Sequence, residues 1–106
     1  MSVMTVAAEL RAPRAHIALG CTLRRKVGSP IPAQTLTVGP RGMQIRSPRP
    51  LMADETVGFD LPDLDMRVAG FARVLREERP HVYALRFEGL PEPMTRRLHA
   101  LAINAR

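Results

Sequence analysis

Turn-forming residues recur along this chain at short intervals and leave runs of strand length between them. They cluster at Gly28-Ser29-Pro30 with Pro32, Gly39-Pro40-Arg41-Gly42, Ser47-Pro48-Arg49-Pro50, Pro62-Asp63, Arg79-Pro80 and Pro91-Glu92-Pro93. Such clusters set φ or break the backbone hydrogen-bond ladder, so the segments between them are of strand length. Those segments alternate between apolar and other residues, the period of a half-buried strand. Ile17, Leu19, Cys21 and Leu23 alternate in the first. Leu36 and Val38 alternate with Thr35 and Thr37 in the second, and Met43 and Ile45 with Gln44 and Arg46 in the third. Val57, Phe59 and Leu61 share a face in the fourth. Met66, Val68, Gly70, Ala72 and Val74 share one in a longer fifth run with room to bend at Gly70, and Tyr83, Leu85 and Phe87 share one in the sixth. Six short strands without intervening helices predict a mostly β fold, an antiparallel barrel or sandwich.

The period then changes. Beyond Pro93, residues Met94, Leu98, Leu101, Ala102 and Ala105 recur at helical spacing while Arg96, Arg97 and Asn104 fall opposite. This predicts a C-terminal helix laid on the barrel, its stripe serving as core more readily than as a partner's docking face. With 106 residues, a single domain over residues 10–106 is expected, and residues 1–9 read as a flexible lead. Tyr83 and the three phenylalanines Phe59, Phe71 and Phe87 read as core, leaving no aromatic platform for stacking bases. The lone Cys21 has no partner for a bridge, fits a reducing compartment and reads as a packed thiol. Neither a secretory leader nor an apolar stretch of about 18 residues is visible. The expectation is therefore a cytoplasmic protein without membrane insertion.

The net charge is +6, and Lys26 is the single lysine among 16 basic residues. Arginine suits phosphate and guanine edges, but the arginines are interspersed with acids at Asp54 to Asp65 and Glu77 to Glu78. This dispersal argues against nucleic acid as a partner, and a small basic nucleic-acid-binding barrel stands as an alternative. Catalysis finds no support: His16, His81 and His99 are scattered, no metal-ligand spacing occurs, Cys21 lacks an activating pair, and Asp60 to Asp65 reads as a hairpin turn rather than a calcium loop.

Antiparallel connection brings the segment entering the first strand beside the turn joining the second and third. Arg11 and Arg14 should then face Gly39 to Gly42, a pairing of guanidinium groups with turn N–H groups that suits a phosphate. The triplet Arg24-Arg25-Lys26 leaves at the far end and reads as a solvated loop.

These residues resemble the signature of the PilZ family, which implies a six-stranded antiparallel β-barrel with a C-terminal α-helix and a regulatory ligand, cyclic di-GMP. The family pattern has an Arg-x-x-x-Arg lead-in and an Asp/Asn-x-Ser-x-x-Gly turn. Gly70-Phe71-Ala72-Arg73-Val74 and Ala84-Leu85-Arg86-Phe87-Glu88-Gly89-Leu90 are similar to its later strands. Departures fall in the ligand motifs. Arg11-Ala12-Pro13-Arg14 is one residue short, so Arg14 alone maps securely. Thr37 stands at the Asp/Asn position and Gly39 at the serine, while Gly42 matches and Arg41 adds a cation. If each lost hydrogen-bonding partner forfeits about 1–2 kcal/mol, binding weakens by about 30- to 1000-fold. Gly42 has a purely geometric reading as well, a tight turn needing positive φ. The resemblance thus implies a non-catalytic signalling or adaptor module without a resident cofactor, with weakened or absent cyclic di-GMP binding, acting on a protein partner in bacterial motility or surface behaviour. The alternative is a working cyclic di-GMP receptor built on Arg14 with Arg11 or Arg41, with Thr37, Gly39 and Gly42 completing the site.

Overall fold

The computed structural model describes residues 13–64 and 66–104. The flexible lead expected over residues 1–9, Arg11, Asp65 and Ala105 lie outside the described residues. Six strands follow in order: β1 Gly20–Arg24, β2 Ile31–Val38, β3 Gly42–Arg46, β4 Thr56–Leu61, β5 Val68–Arg79 and β6 Val82–Glu88. They close into an antiparallel barrel in the order β1-β2-β3-β6-β5-β4, and helix α1, Glu92–Asn104, follows. The expected fold class is the one observed. Closure leaves no strand edge for unwanted pairing, and around the ring β4 stands opposite β3.

Alternation places the inward side chains. Cys21, Leu23, Ile31, Ala33, Met43, Ile45, Val57, Phe59, Leu61, Val68, Ala72, Val74, Tyr83 and Leu85 form one buried cluster. Phe87 stacks on Phe59 with centroids 4.9 Å apart. Phe71 does not follow: it points outward and is 61% exposed, contrary to the core role expected for every aromatic. Its neighbours Gly70 and Ala72 occupy the inward phase of β5, and a strand residue between two inward ones must face out.

The second strand carries a larger correction. Ile31, Ala33 and Thr35 face inward, and a register shift between Thr35 and Thr37 leaves Leu36 half-buried before Val38 regains the core. Alternation counted back from Leu36 and Val38 puts Thr35 on the wrong face, because a bulge adds one residue and reverses the phase. The fully buried Thr35 hydroxyl is satisfied: it donates to the Ile17 carbonyl at 2.6 Å and accepts the Leu19 N–H at 2.8 Å. The entering segment is therefore stitched to β2 although regular pairing in β1 begins only at Gly20.

Helix α1 starts where Pro91 offers its carbonyl to the N–H groups of Met94 and Thr95, and Pro93, which lacks an N–H, sits in the first turn. Leu98 and Ala102 are buried, Leu98 joins the barrel core, and Met94 and Leu101 pack against it. The stripe is core, as its spacing implies. None of the described helices is long and apolar enough to cross a membrane.

Candidate functional site

The segment entering β1 does lie against the β2–β3 turn. Ala15 and Val38 exchange two backbone hydrogen bonds of 2.7 and 2.9 Å, an isolated bridge that fixes the lead-in along the end of β2. This places Arg14, whose backbone precedes the bridge, next to Thr37. The Arg14 Nη1 donates to the buried Thr37 Oγ1 at 3.2 Å, which takes one acceptor position of that hydroxyl.

Gly39 is packed more tightly still. A Cβ on Gly39 would stand 2.6 Å from the Pro13 carbonyl oxygen and 3.5 Å from the Arg14 Cγ. No side chain fits there unless the lead-in moves away. Sequence reasoning missed Pro13 as a participant, although its fixed φ and the restriction it places on the preceding residue are visible in Arg11-Ala12-Pro13-Arg14.

Gly42 requires glycine for a different reason from the one expected. Its φ lies outside the left-handed region, and a Cβ would stand 2.2 Å from the Leu85 carbonyl oxygen of β6. Close approach of two strands, not turn conformation, excludes a side chain. The turn itself is closed by the Gly39 N–H donating to the Gly42 carbonyl at 2.9 Å, while the Arg41 carbonyl accepts the Phe87 N–H at 2.8 Å. Arg41 is exposed and shares a shallow cleft with Pro40, Arg86 and Thr95, where the start of α1 meets the turn. Of the residues singled out in the sequence, Arg14, Thr37, Gly39 and Gly42 thus meet at one end of the barrel with Arg41 at its rim.

The basic triplet is not uniformly a solvated loop. Arg25 is clamped: its Nη2 and Nε donate to the two Glu55 carboxylate oxygens at 2.6 and 3.1 Å, and Nη2 reaches the Pro50 carbonyl at 2.9 Å. That bidentate contact holds the Glu55 carboxyl below its ordinary range. The acidic run contains a second such pair. Asp60 lies in β4, almost fully buried, and accepts two hydrogen bonds from Arg67, which lower its carboxyl pKa against the opposing effect of burial. Reading Asp60 as part of a hairpin turn missed this, because nothing in the local sequence marks Arg67 as its partner.

Cys21 is buried, and desolvation pushes its thiol up to about 12. It stays protonated, which removes the thiolate that nucleophilic chemistry requires. His16, His81 and His99 are all exposed, and among the described residues no group of three or more His, Cys, Asp or Glu is placed to hold a metal ion.

No family model and no curated protein matches this chain in sequence. Solved structures do match in shape. The chain superimposes on the PilZ domain of CeSA from a cellulose-synthesizing bacterium with a TM-score of 0.65 at 13% identity, covering 86% of this chain and 95% of that one. The fold is PilZ-like. The inhibitor of motility MotI/DgrA of Bacillus subtilis matches with a TM-score of 0.74 at 12% identity over 89% of this chain. The match covers 49% of MotI/DgrA, so this PilZ-like barrel spans about half the length of that protein. At such identities the likeness is one of fold, and the ligand residues have to be judged from the side chains at the turn.

Proposed function

We propose that this chain is a non-catalytic PilZ-type signalling module in which recognition of cyclic di-GMP is weakened or lost, and that it works by contacting another protein. The observation that carries this reading is the contact between Pro13 and Gly39. In the family motif the position of Gly39 bears a serine that reaches the nucleotide; here the lead-in's own carbonyl stands 2.6 Å from where its Cβ would be. Arg14, the one lead-in arginine that maps securely, spends a donor on Thr37 rather than presenting its whole fork outward. The lead-in thus rests on the surface that a dinucleotide would need between it and the turn. A dinucleotide lodged between the lead-in and the turn would compete with the Ala15–Val38 bridge and the Arg14–Thr37 bond, and a threonine hydroxyl cannot read a guanine edge as a carboxylate or amide does.

The process is taken from the fold's company. A motility inhibitor with the same barrel supports a role in bacterial motility or surface behaviour, with the barrel presenting its surface constitutively instead of on nucleotide command. Reduced thiol chemistry at a buried Cys21 fits a cytoplasmic setting.

Calorimetric titration of cyclic di-GMP into the purified chain tests the ligand half. The expected result is no saturable heat at ligand concentrations up to about 100 μM. Micromolar or tighter binding, abolished by Arg14→Ala, overturns the proposal in favour of a working receptor. In the source bacterium, deletion should change the swimming diameter in soft agar, and restoration with Arg14→Ala should be as complete as with the unaltered chain.

A further inference from the structure

The outer wall formed by β1, β4 and β5 has features that the barrel itself does not need. Across the three strands Arg24, Gly58 and Phe71 lie in one row, since Arg24 pairs with Gly58 and Gly58 with Phe71. Gly58 is in the middle of β4 with φ outside the left-handed region, and a Cβ there would meet nothing closer than 3.6 Å. Unlike Gly39 and Gly42, it is not required by packing. A glycine inside a strand weakens it and commonly marks a bulge, a bend or a close approach of another group to the backbone, and the pairings of Gly58 on both sides show no register shift. With Ala69 beside it in the next row, the wall has an open furrow of about 600 Å³, floored by backbone and small side chains. One bank is the ring of Phe71, the other the basic residues Arg24 and Lys26.

Charges around the furrow do not cancel. Glu55 is held by Arg25, Glu88, across the ladder from Phe71, is bridged to Arg73 at 3.1 Å, and Asp60 is held by Arg67. Arg24 is near enough to Asp60 to help lower its carboxyl pKa, but the hydrogen bonds there come from Arg67. Lys26, the single lysine of the chain, and Arg24 are both exposed and form no ion pair with another described residue. The furrow therefore offers an aromatic face and two cations. The barrel is closed, so a partner cannot add a strand to an edge and must be recognised through side chains.

We propose that this furrow is the docking site for an extended acidic segment of a partner protein, with an apolar side chain seated over Gly58 against Phe71 and carboxylates on Arg24 and Lys26. The proposal rests on the reading above, that the module works through protein contacts, and it assigns that contact to the wall opposite β3. A single exposed aromatic flanked by two cations makes no continuous track for a nucleic-acid strand.

The probe is a displayed library of random short peptides, panned on the purified full chain after depletion on Gly58→Val, which fills the furrow. Enriched sequences are expected to combine Asp or Glu with Leu, Ile or Phe. Their synthetic versions should bind the unaltered chain and lose about tenfold or more in affinity with Gly58→Val, with Phe71→Ser, and with Arg24→Glu combined with Lys26→Glu. Melting followed by circular dichroism identifies any variant that fails to fold, and Phe71→Ser, altered only at an exposed site, carries the test if Gly58→Val does. Arg14→Ala should leave peptide affinity unchanged. No enrichment over the depleted library, enrichment of basic or neutral sequences, or equal binding by Phe71→Ser overturns the proposal. So does displacement of the peptides by oligothymidylate. Cyclic di-GMP binding at Arg14 would refute the proposed function while leaving the furrow result standing, so the two failures are distinguishable.

Discussion

Gly42 and Gly58 are both strand glycines of one barrel, and the space around each predicts opposite consequences for the same substitution. At Gly42 an added methyl group runs into the Leu85 carbonyl at 2.2 Å and the Arg86 Cα at 3.2 Å, both backbone, so β3 and β6 must separate. Gly42→Ala is expected to cost about 1–3 kcal/mol, the usual cost of overpacking. At Gly58 the nearest atoms are at ordinary van der Waals distance and φ is compatible with alanine. Gly58→Ala should then gain about 0.4–1 kcal/mol, chiefly by restricting the unfolded chain. Urea unfolding of the two variants beside the parent measures both; a stabilised Gly42→Ala or a destabilised Gly58→Ala would show the packing argument to be wrong. In the sequence these glycines are equivalent letters. Gly42 completes a motif, yet the approach of β6 rather than a left-handed turn excludes a side chain there; Gly58 completes none, and what distinguishes it is that no atom stands closer than ordinary contact.

Strand β2 decides where the lead-in lies. Its bulge turns Thr35 inward, and the Thr35 hydroxyl and N–H both serve the segment before β1, the N–H donating to the Leu19 carbonyl at 2.9 Å. Thr35→Val keeps the shape but orphans the Ile17 carbonyl and the Leu19 N–H. The expected loss is about 1–3 kcal/mol, the desolvation cost of buried polar groups without partners. Amide exchange should locate it: Ala15 and Val38, whose N–H groups close the bridge, should lose protection before the rest of β2 does. Uniform loss over the whole barrel would mean that the lead-in is no separate unit. The number of strands was legible, and so were the inward residues wherever pairing is regular, because alternation survives there. The bulge was not, since two residues opposing one is a property of the pair of strands.

At the scale of the molecule, two carboxylates anchor loops to the barrel, Glu55 through Arg25 and Asp60 through Arg67. Both have folded-state pKa values below their ordinary ones, lowered first by hydrogen bonds from the guanidinium groups. The unfolded chain therefore takes up protons first on acidification. The stabilisation is complete above the unfolded carboxylate values and is lost as the pH falls through the lower folded ones. The melting temperature should hold steady near neutrality and drop below about pH 4. Asp60→Asn should melt lower than the parent at pH 7, and the two curves should converge in acid, where the parent's carboxyl is neutral as well. Parallel curves would remove Asp60 from the acid response.

What the sequence determined unaided follows from local rules: turn residues divide the chain, a two-residue period faces six strands inward, a helical period follows Pro93, and antiparallel connection brings Arg14 to the turn at Gly39. Closure, the bulge, the carbonyl of Pro13 against Gly39, the partner of Asp60 and the outward ring of Phe71 were decided only in the folded chain. Each of these joins residues distant in sequence or depends on the space between strands, and neither composition nor spacing records a distance across a barrel.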